Sequence, residues 1–286
     1  MPRIGFIGLG AMGSALAKRL ALAGALYVAD LNVGAVESLE AEGATGLPAT
    51  DLAARCEVVM TCLPRSQDVR DLVLGAGGLA AALHPGSVLV DMTTGDPTID
   101  REIAAGLERS GVSFVDAPVS GGPQAAAAGT IAIMVGAAAD DFARVRPVLA
   151  GISPNITHVG PVGAGHVLKL VNNMLSACNR LAALEAVAIA TANGVERATC
   201  VAGINTGSGR SYMTEVTFPR FLLDEEIHEQ HFQIGLMLKD VGLASSLAES
   251  SGVHAPIGEL VRRLFADGAV RYGESADINQ LARDYL

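Results

Sequence analysis

The sequence predicts an α/β fold in two parts: an N-terminal domain on a doubly wound, mostly parallel sheet, and an all-α C-terminal domain entered by one long bridging helix. Three observations predict it. From Arg3 to about Gly160, short apolar runs alternate with stretches whose apolar residues recur three and four apart, the pattern of parallel strands joined by helical crossovers. After Gly163 the strand-like runs stop. Ala164 to Asn193 then reads as a single helix of about 30 residues, roughly 45 Å at 1.5 Å per residue.

The strand-like runs, in order, are Ile4 to Ile7, Leu26 to Ala29, Val58 to Thr61, Val88 to Val90, Ser113 to Val115, Ile131 to Val135 and Ile156 to Val159. Between them Met12 to Leu22 and Thr98 to Leu107 carry helical spacing, the second started by Pro97 with Thr98 and Asp100 as helix-start chemistry. The long helix is apolar on more than one side (Val167, Leu170, Val171, Leu175, Leu181, Leu184, Val187, Ile189), as expected of a helix that bridges domains or subunits. Further helices are expected at 196–205, 232–251, 256–269 and 277–284. The boundary follows: 1–163 is an α/β domain and 164–286 an all-helical one, and the motifs below make the first the expected dinucleotide-binding domain and the second the expected substrate and oligomerisation domain.

Half of the 286 residues are apolar and 17% are charged, which excludes a disordered chain. A net charge of −10 excludes a general nucleic-acid or anionic-membrane surface. Residues 117–139 lack charge, but Pro118, Pro123 and several glycines make them loop, short helix and buried strand rather than a membrane span. Cys56, Cys62, Cys178 and Cys200 have neither zinc-knuckle nor redox-pair spacing and read as reduced thiols. With no export segment at Met1 to Gly10, the expected location is cytoplasmic. Of 20 basic residues only Lys18, Lys169 and Lys239 are lysine, the type whose proton can be mobilised near neutral pH.

Gly8-Leu9-Gly10-Ala11-Met12-Gly13 follows the first strand and opens a helix, the arrangement of a Rossmann dinucleotide site. Gly8 permits the turn, Gly10 lets backbone approach a pyrophosphate, and Gly13 lets helix pack on strand. Asp30 closes the second strand, where a carboxylate accepts from ribose hydroxyls and repels a 2′-phosphate; this favours NAD over NADP, the competing role being a cap on the next helix. Arg65, in a later loop, is the one residue placed to argue for NADP. Ser120-Gly121-Gly122, after Asp116-Ala117-Pro118-Val119, forms a nest of hydroxyl and backbone N–H for a carboxylate, or else a loop kept flexible by glycine. Lys169 and Asn173 are four apart on the long helix and share a face, so an ammonium and an amide converge on one small polar molecule. His166, three before Lys169, either lines the same cleft or, the preferred reading, is a cap or surface residue. Lys239 follows an apolar helical turn and meets either a ligand or Asp240.

These motifs together resemble the β-hydroxyacid dehydrogenase family, the group of 3-hydroxyisobutyrate dehydrogenase and tartronate semialdehyde reductase, over nearly the whole chain: GFIGLGAMG at the start, DAPVSGGPQAAAAGT at 116–130, GAGHVLKLVNN at 163–173 and LKD at 238–240. The resemblance implies an NAD-dependent enzyme that interconverts a small 3-hydroxy acid and its semialdehyde or keto acid by hydride transfer; separately, the long helix and the apolar helices after it carry more hydrophobic surface than one small helical domain buries, and a homodimer or homotetramer is expected. It implies that Ser120, Gly121 and Gly122 hold the substrate carboxylate, that Lys169 is the acid/base residue assisted by Asn173, and that Lys239, Leu63, Pro64 and Thr94 contact the cofactor. Thr93-Thr94-Gly95 departs from the serine-threonine-isoleucine often found there, which bears on the nicotinamide contacts. No metal is expected: the lysine supplies the positive charge beside the developing alkoxide.

Two rival readings remain. One is an NADPH-dependent reductase of glyoxylate or succinic semialdehyde, against which Asp30 argues; the other is a non-catalytic dinucleotide sensor, against which Lys169 argues. A sugar-phosphate substrate, as in 6-phosphogluconate dehydrogenase, lacks a basic cluster to receive it. His228-Glu229-Gln230-His231 has histidines three apart and is not read as a metal motif. Arg210 and Tyr212 lie in a polar connection that either enters the substrate cleft or only joins helices.

Overall fold

The computed structural model describes residues 2–286. The first part of the chain alternates β1 (Ile4–Ile7), α1 (Ala11–Ala21), β2 (Leu26–Ala29), α2 (Val33–Glu40), β3 (Thr45–Gly46), α3 (Ala49–Arg55), β4 (Val58–Thr61), α4 (Ser66–Leu74), β5 (Val88–Asp91), α5 (Pro97–Glu108) and β6 (Ser113–Asp116). It continues through β7 (Val119–Ser120), α6 (Gly122–Ala127), β8 (Ala132–Gly136), α7 (Ala139–Ala150) and β9 (Ile156–Gly160). Then come the α-helices α8 (Ala164–Ala192), α9 (Arg197–Asn205), α10 (Phe218–Phe221), α11 (Ile234–Ser250) and α12 (Pro256–Tyr272), with one isolated antiparallel bridge between Gln233 and Asp277.

Among the described residues nine strands form one sheet in the order β3-β2-β1-β4-β5-β6-β8-β7, with β9 on β8. Pairing is parallel from β3 through β6 and between β8 and β9. It is antiparallel where β8 meets β6 and β7. The central strands β1, β4 and β5 are buried on both faces, and their period of two assigns each residue to a layer. Phe6, Val58, Met60, Val88 and Val90 point into a core covered by Leu16 and Leu20 of α1. Ile7, Val59 and Leu89 point into the opposite core with Val69, Val73, Ile103 and Leu107. Helices on both faces of a parallel sheet follow from this pattern.

Two strands are absent from the sequence expectation. Both β3 and β7 are two residues long, too short for any periodicity. β7 matters more, because antiparallel pairing of Ser120 with Ala132 fixes in a ladder what the sequence presents as a loop. The segment expected as a helix at 277–284 is 3₁₀ over Ile278–Asp284, and a π-turn over Met213–Thr217 leads into α10 where no element was expected.

Close packing divides the chain within α8, into a unit ending at Lys169 and a second, Leu170–Leu286. In the second unit α8 serves two cores. Ala177 and Leu181 meet Ile234, Val241 and Phe265, while Leu184 and Val187 meet Val201, Met213 and Phe218. α8 is long and apolar enough to cross a bilayer by length and composition alone; these two cores account for its buried apolar side. Arg180, also buried, donates from Nη1 to Asn279 Oδ1 (2.7 Å) and from Nη2 to Gln230 Oε1 (2.6 Å), tying α8 to the C-terminal turns.

Candidate active site

The parallel strands end level with one another. Ala29, Ile7, Thr61, Asp91 and Asp116 stand in register across β2, β1, β4, β5 and β6, so the loops that follow leave from one edge of the sheet. That edge, at the carboxyl ends of the strands, is where open α/β sheets bind ligands. It carries Gly8 to Gly13, Asp30, Leu63, Pro64 and Thr94.

In the first loop Gly8 has φ +97°, and a Cβ there would lie 2.4 Å from the Cys62 carbonyl oxygen. A Cβ on Gly13 would lie 1.9 Å from the Gly8 carbonyl oxygen, whereas one on Gly10 meets nothing within 4 Å. The loop is therefore packed to contact on its inner side and open at Gly10. Ala11 and Met12 start α1, whose N-terminus has no side-chain cap and no acidic residue in its first turn. Free N–H groups at an uncapped helix start suit a pyrophosphate, and this cradle fits a nicotinamide dinucleotide.

Asp30 is tied to the same loop. Its Oδ2 accepts from Leu9 N–H (2.5 Å) and its Oδ1 from Asn32 N–H (2.7 Å). The cap of α2 is Asn32, which accepts from Gly34 N–H, so Asp30 is not that helix's N-cap. Leu63 N–H donates to Thr93 Oγ1 (3.0 Å), joining the loops after β4 and β5. Burial pushes the neighbouring Cys62 thiol up to about 12 and keeps it protonated. Arg65 is mostly exposed and forks onto Asp68.

Beyond β6, Ser120 ends β7, and Gly121 (φ +139°) and Gly122 (φ +78°) turn the chain into α6. Both glycines hold a conformation that L side chains rarely adopt, so the turn itself requires glycine at 121 and 122. The start of α8 is capped from within the sheet. Asp116 Oδ1 accepts from Gly163 N–H (2.6 Å) and Oδ2 from His166 N–H (2.9 Å). Burial raises the Asp116 carboxyl against these hydrogen bonds. Two glycines make room for it: a Cβ on Gly136 would lie 2.3 Å from Oδ1, and one on Gly165 would lie 2.7 Å from Oδ2.

His166 departs from expectation. It is not a surface or cap residue but wholly buried, with Nδ1 2.5 Å from Asp100 Oδ2 and Nε2 against the Thr93 carbonyl. Asp100, expected to start α5, points inward instead; the N-cap is Asp96, which accepts from Thr98 N–H (2.8 Å). Nothing in the local sequence pattern separates these roles, because the partners lie 66 residues apart.

Lys169, at 7% exposure, sits one turn beyond His166 on α8, and Asn173, at 6%, one turn further. In the second unit, Asn173 Nδ2 donates to Asp240 Oδ2 (2.7 Å), and Asp240 also pairs with Lys239 (3.3 Å). Asp240, itself buried, thus orients the Asn173 amide, a role the sequence did not single out. Arg210 and Tyr212 are exposed, Arg210 facing Glu215 at 3.5 Å. His228 faces Asp224 (3.3 Å) and His231 faces Glu229 (3.5 Å).

The chain matches known proteins over nearly its whole length. Residues 3–160 match the model of the NAD-binding domain of 6-phosphogluconate dehydrogenase. Residues 163–285 match that described as NAD-binding of NADP-dependent 3-hydroxyisobutyrate dehydrogenase. An NAD-dependent L-serine dehydrogenase of Pseudomonas aeruginosa is 38% identical over 272 residues, 93% of this chain and 91% of its own. A 2-(hydroxymethyl)glutarate dehydrogenase of Eubacterium barkeri is 36% identical over 268 residues, 93% of this chain and 89% of its own. The solved structure of Mycobacterium tuberculosis 3-hydroxyisobutyrate dehydrogenase with L-serine superposes with a TM-score of 0.90 at 30% identity, covering 99% of both chains. Matched over nearly its full length by hydroxyacid dehydrogenases and by both family models, the chain belongs to the β-hydroxyacid dehydrogenase family.

Proposed function

We propose that this enzyme oxidises primary alcohols of the form HOCH₂–CHR–COO⁻ to the corresponding semialdehydes, and reverses the reaction, with NAD preferred over NADP. The substrates named in its relatives, L-serine, 3-hydroxyisobutyrate and 2-(hydroxymethyl)glutarate, share that skeleton and differ only in R. The observation that carries the reading is the pair Lys169 and Asn173, buried on successive turns of α8, the amide held in orientation by Asp240.

Ser120 Oγ and the backbone of Gly121 and Gly122 hold the carboxylate. Asn173 and Lys169 hold the reacting oxygen. In oxidation Lys169 Nζ takes the hydroxyl proton, and in reduction it returns a proton to the carbonyl oxygen. As an ammonium it also stabilises negative charge on that oxygen. NAD, held by Gly8 to Gly13, Asp30, Leu63, Pro64, Thr94 and Lys239, supplies the hydride acceptor. Asp30 argues for NAD because a 2′-phosphate would meet its carboxylate. The four free cysteines support a cytosolic location.

We propose a homo-oligomer as the working state, since Leu175 and Ile189 of α8 and Ile257, Leu260 and Val270 of α12 expose large apolar side chains. The catalytic reading is tested by Lys169→Arg, which keeps the charge but has no proton to give near neutral pH. Turnover with a panel of 3-hydroxy acids, read by reduced-nicotinamide absorbance, should fall about a hundredfold or more while NADH binding persists. More than about a tenth of wild-type turnover would move the proton transfer elsewhere.

A further inference from the structure

We propose that Asp100 and His166 are a positioning pair that locks the nicotinamide-side loops to the turn of α8 that carries Lys169. The proposal rests on the reading of Lys169 as the proton carrier. His166 is the junction. Its backbone N–H is held by Asp116 at the end of β6, its Nε2 by the Thr93 carbonyl after β5, and its Nδ1 by Asp100 on α5. Thr93 in turn receives Leu63 N–H on Oγ1 and donates its own N–H to Asp91 Oδ1 (3.1 Å). One ring thus connects, through Thr93, the loops bearing Leu63, Pro64 and Thr94, and it does so one helical turn before Lys169.

The hydrogen-bond logic fixes the protons. A carbonyl only accepts, so Nε2 carries a hydrogen toward Thr93. On the other edge a single proton lies between Nδ1 and Asp100, giving either imidazolium with carboxylate or neutral ring with carboxylic acid. The groups facing the ring are Asp100 from α5, Asp91 from β5 and Asp116 from β6; Lys169 follows on α8, and Arg101 of α5 approaches the Gly163 turn. Burial alone pulls the imidazole down, but Asp100, joined by Asp91 and Asp116, outweighs it and pushes His166 up to about 9. Burial also raises Asp100, to about 6, against the pull of His166. The ring therefore stays clamped on both edges across the neutral range. Asp91 Oδ2 and Asp100 Oδ1 have no hydrogen-bond partner, so this part of the interior is occupied by side chains that no purely apolar packing would select.

Three variants test the lock. Asp100→Asn retains a clamp of opposite polarity, its amide N–H donating to Nδ1 of a neutral ring and its oxygen replacing the Asp100 oxygen that already lacks a partner. Asp100→Ala and His166→Gln break the clamp. With the best 3-hydroxy acid of the panel, the two breaking variants should lose kcat at least tenfold. Their KM for the acid and NADH dissociation constant, the latter from fluorescence titration, should stay within threefold. Asp100→Asn should stay within threefold of wild-type kcat. Imidazole nitrogen NMR should show His166 protonated on both nitrogens at pH 7.5 in the wild type, and as the neutral Nε2–H tautomer in Asp100→Asn.

Breaking variants that melt and bind NADH normally and keep kcat would overturn the proposal. So would a fall in kcat matched by equal loss of NADH binding, or Asp100→Asn as impaired as Asp100→Ala. Asp91, Asp100 and His166 also offer ligand atoms within 4.8 Å of one another. Loss of turnover on dialysis against EDTA, restored by a divalent cation, would therefore overturn it in favour of a metal site, and unchanged turnover is the expected result. Failure of the proton-carrier reading is seen separately, as an active Lys169→Arg.

Discussion

Replacing Gly10 and Gly13 by alanine, one at a time, separates packing from ligand binding within a single loop. A methyl group on Gly13 would sit 1.9 Å from the Gly8 carbonyl oxygen, where ordinary contact begins at 3.4 Å, so about 1.5 Å of displacement is needed. Neither side can yield it easily. Gly8 N–H is bonded to the Ala29 carbonyl (3.0 Å) and Gly8 lies against the Cys62 carbonyl, while Gly13 is in the first turns of α1, whose Leu16 and Leu20 are buried. Overpacking of this kind costs about 1–3 kcal/mol, and at about 2–4 °C per kcal/mol for a unit of this size the melting temperature should fall by roughly 2–12 °C. Because the loop must move, NADH affinity should fall at least tenfold as well. Gly10→Ala meets nothing within 4 Å, so its melting temperature should match the wild type within about 2 °C, yet its NADH affinity should also drop at least tenfold, since the methyl projects into the space left for pyrophosphate. Thermal melts with NADH fluorescence titration read both quantities. A Gly13→Ala protein that melts like wild type would refute the packing argument, and a Gly10→Ala protein that binds NADH normally would refute the cradle.

Catalytic efficiency with NAD should exceed that with NADP at least tenfold, a difference of about 1.4 kcal/mol, and equal efficiency would remove Asp30 from cofactor choice. Ser120→Ala should raise KM for the hydroxy acid with little change in NADH affinity; the reverse pattern would assign the nest to the cofactor. His166 is raised by folding from 6.5 to about 9, so its contribution to stability is full below pH 6.5 and is lost as pH climbs through about 9. The melting temperature should accordingly decline across that interval, and Asp100→Asn should flatten the decline. Light scattering at micromolar concentration should give a multiple of the 29.2 kDa chain mass, and a monomer would contradict the assembly reading.

Elements with a long or strong period were legible from sequence. β1, β2 and β4 coincide with the runs read for them, and the long helix ends one residue before Asn193. What stayed hidden has a common physical cause: it depends on partners remote in the chain. β7 exists because Val119 and Ser120 pair with β8, and two residues carry no alternation of their own. The burial of His166 depends on Asp100 and Thr93, and the orientation of Asn173 depends on Asp240, 67 residues on. Lys169 stood out in the sequence for a different reason, since it is one of three lysines beside seventeen arginines and stands four before an asparagine on an apolar helix; its burial is what the structure adds.

The carboxylate of Asp116 between Gly136 and Gly165 has a consequence for how this protein can change over generations. Any side chain at 136 or 165 collides with the acid, while an acid shortened to alanine strands the N–H groups of Gly163 and His166 that it serves. Each position is thus neutral to none of the others, and the first step away from the trio is costly whichever residue takes it. A mutagenesis library that varies these three sites singly will score each as intolerant, whereas one that varies them jointly samples the compensated alternatives that single steps cannot reach.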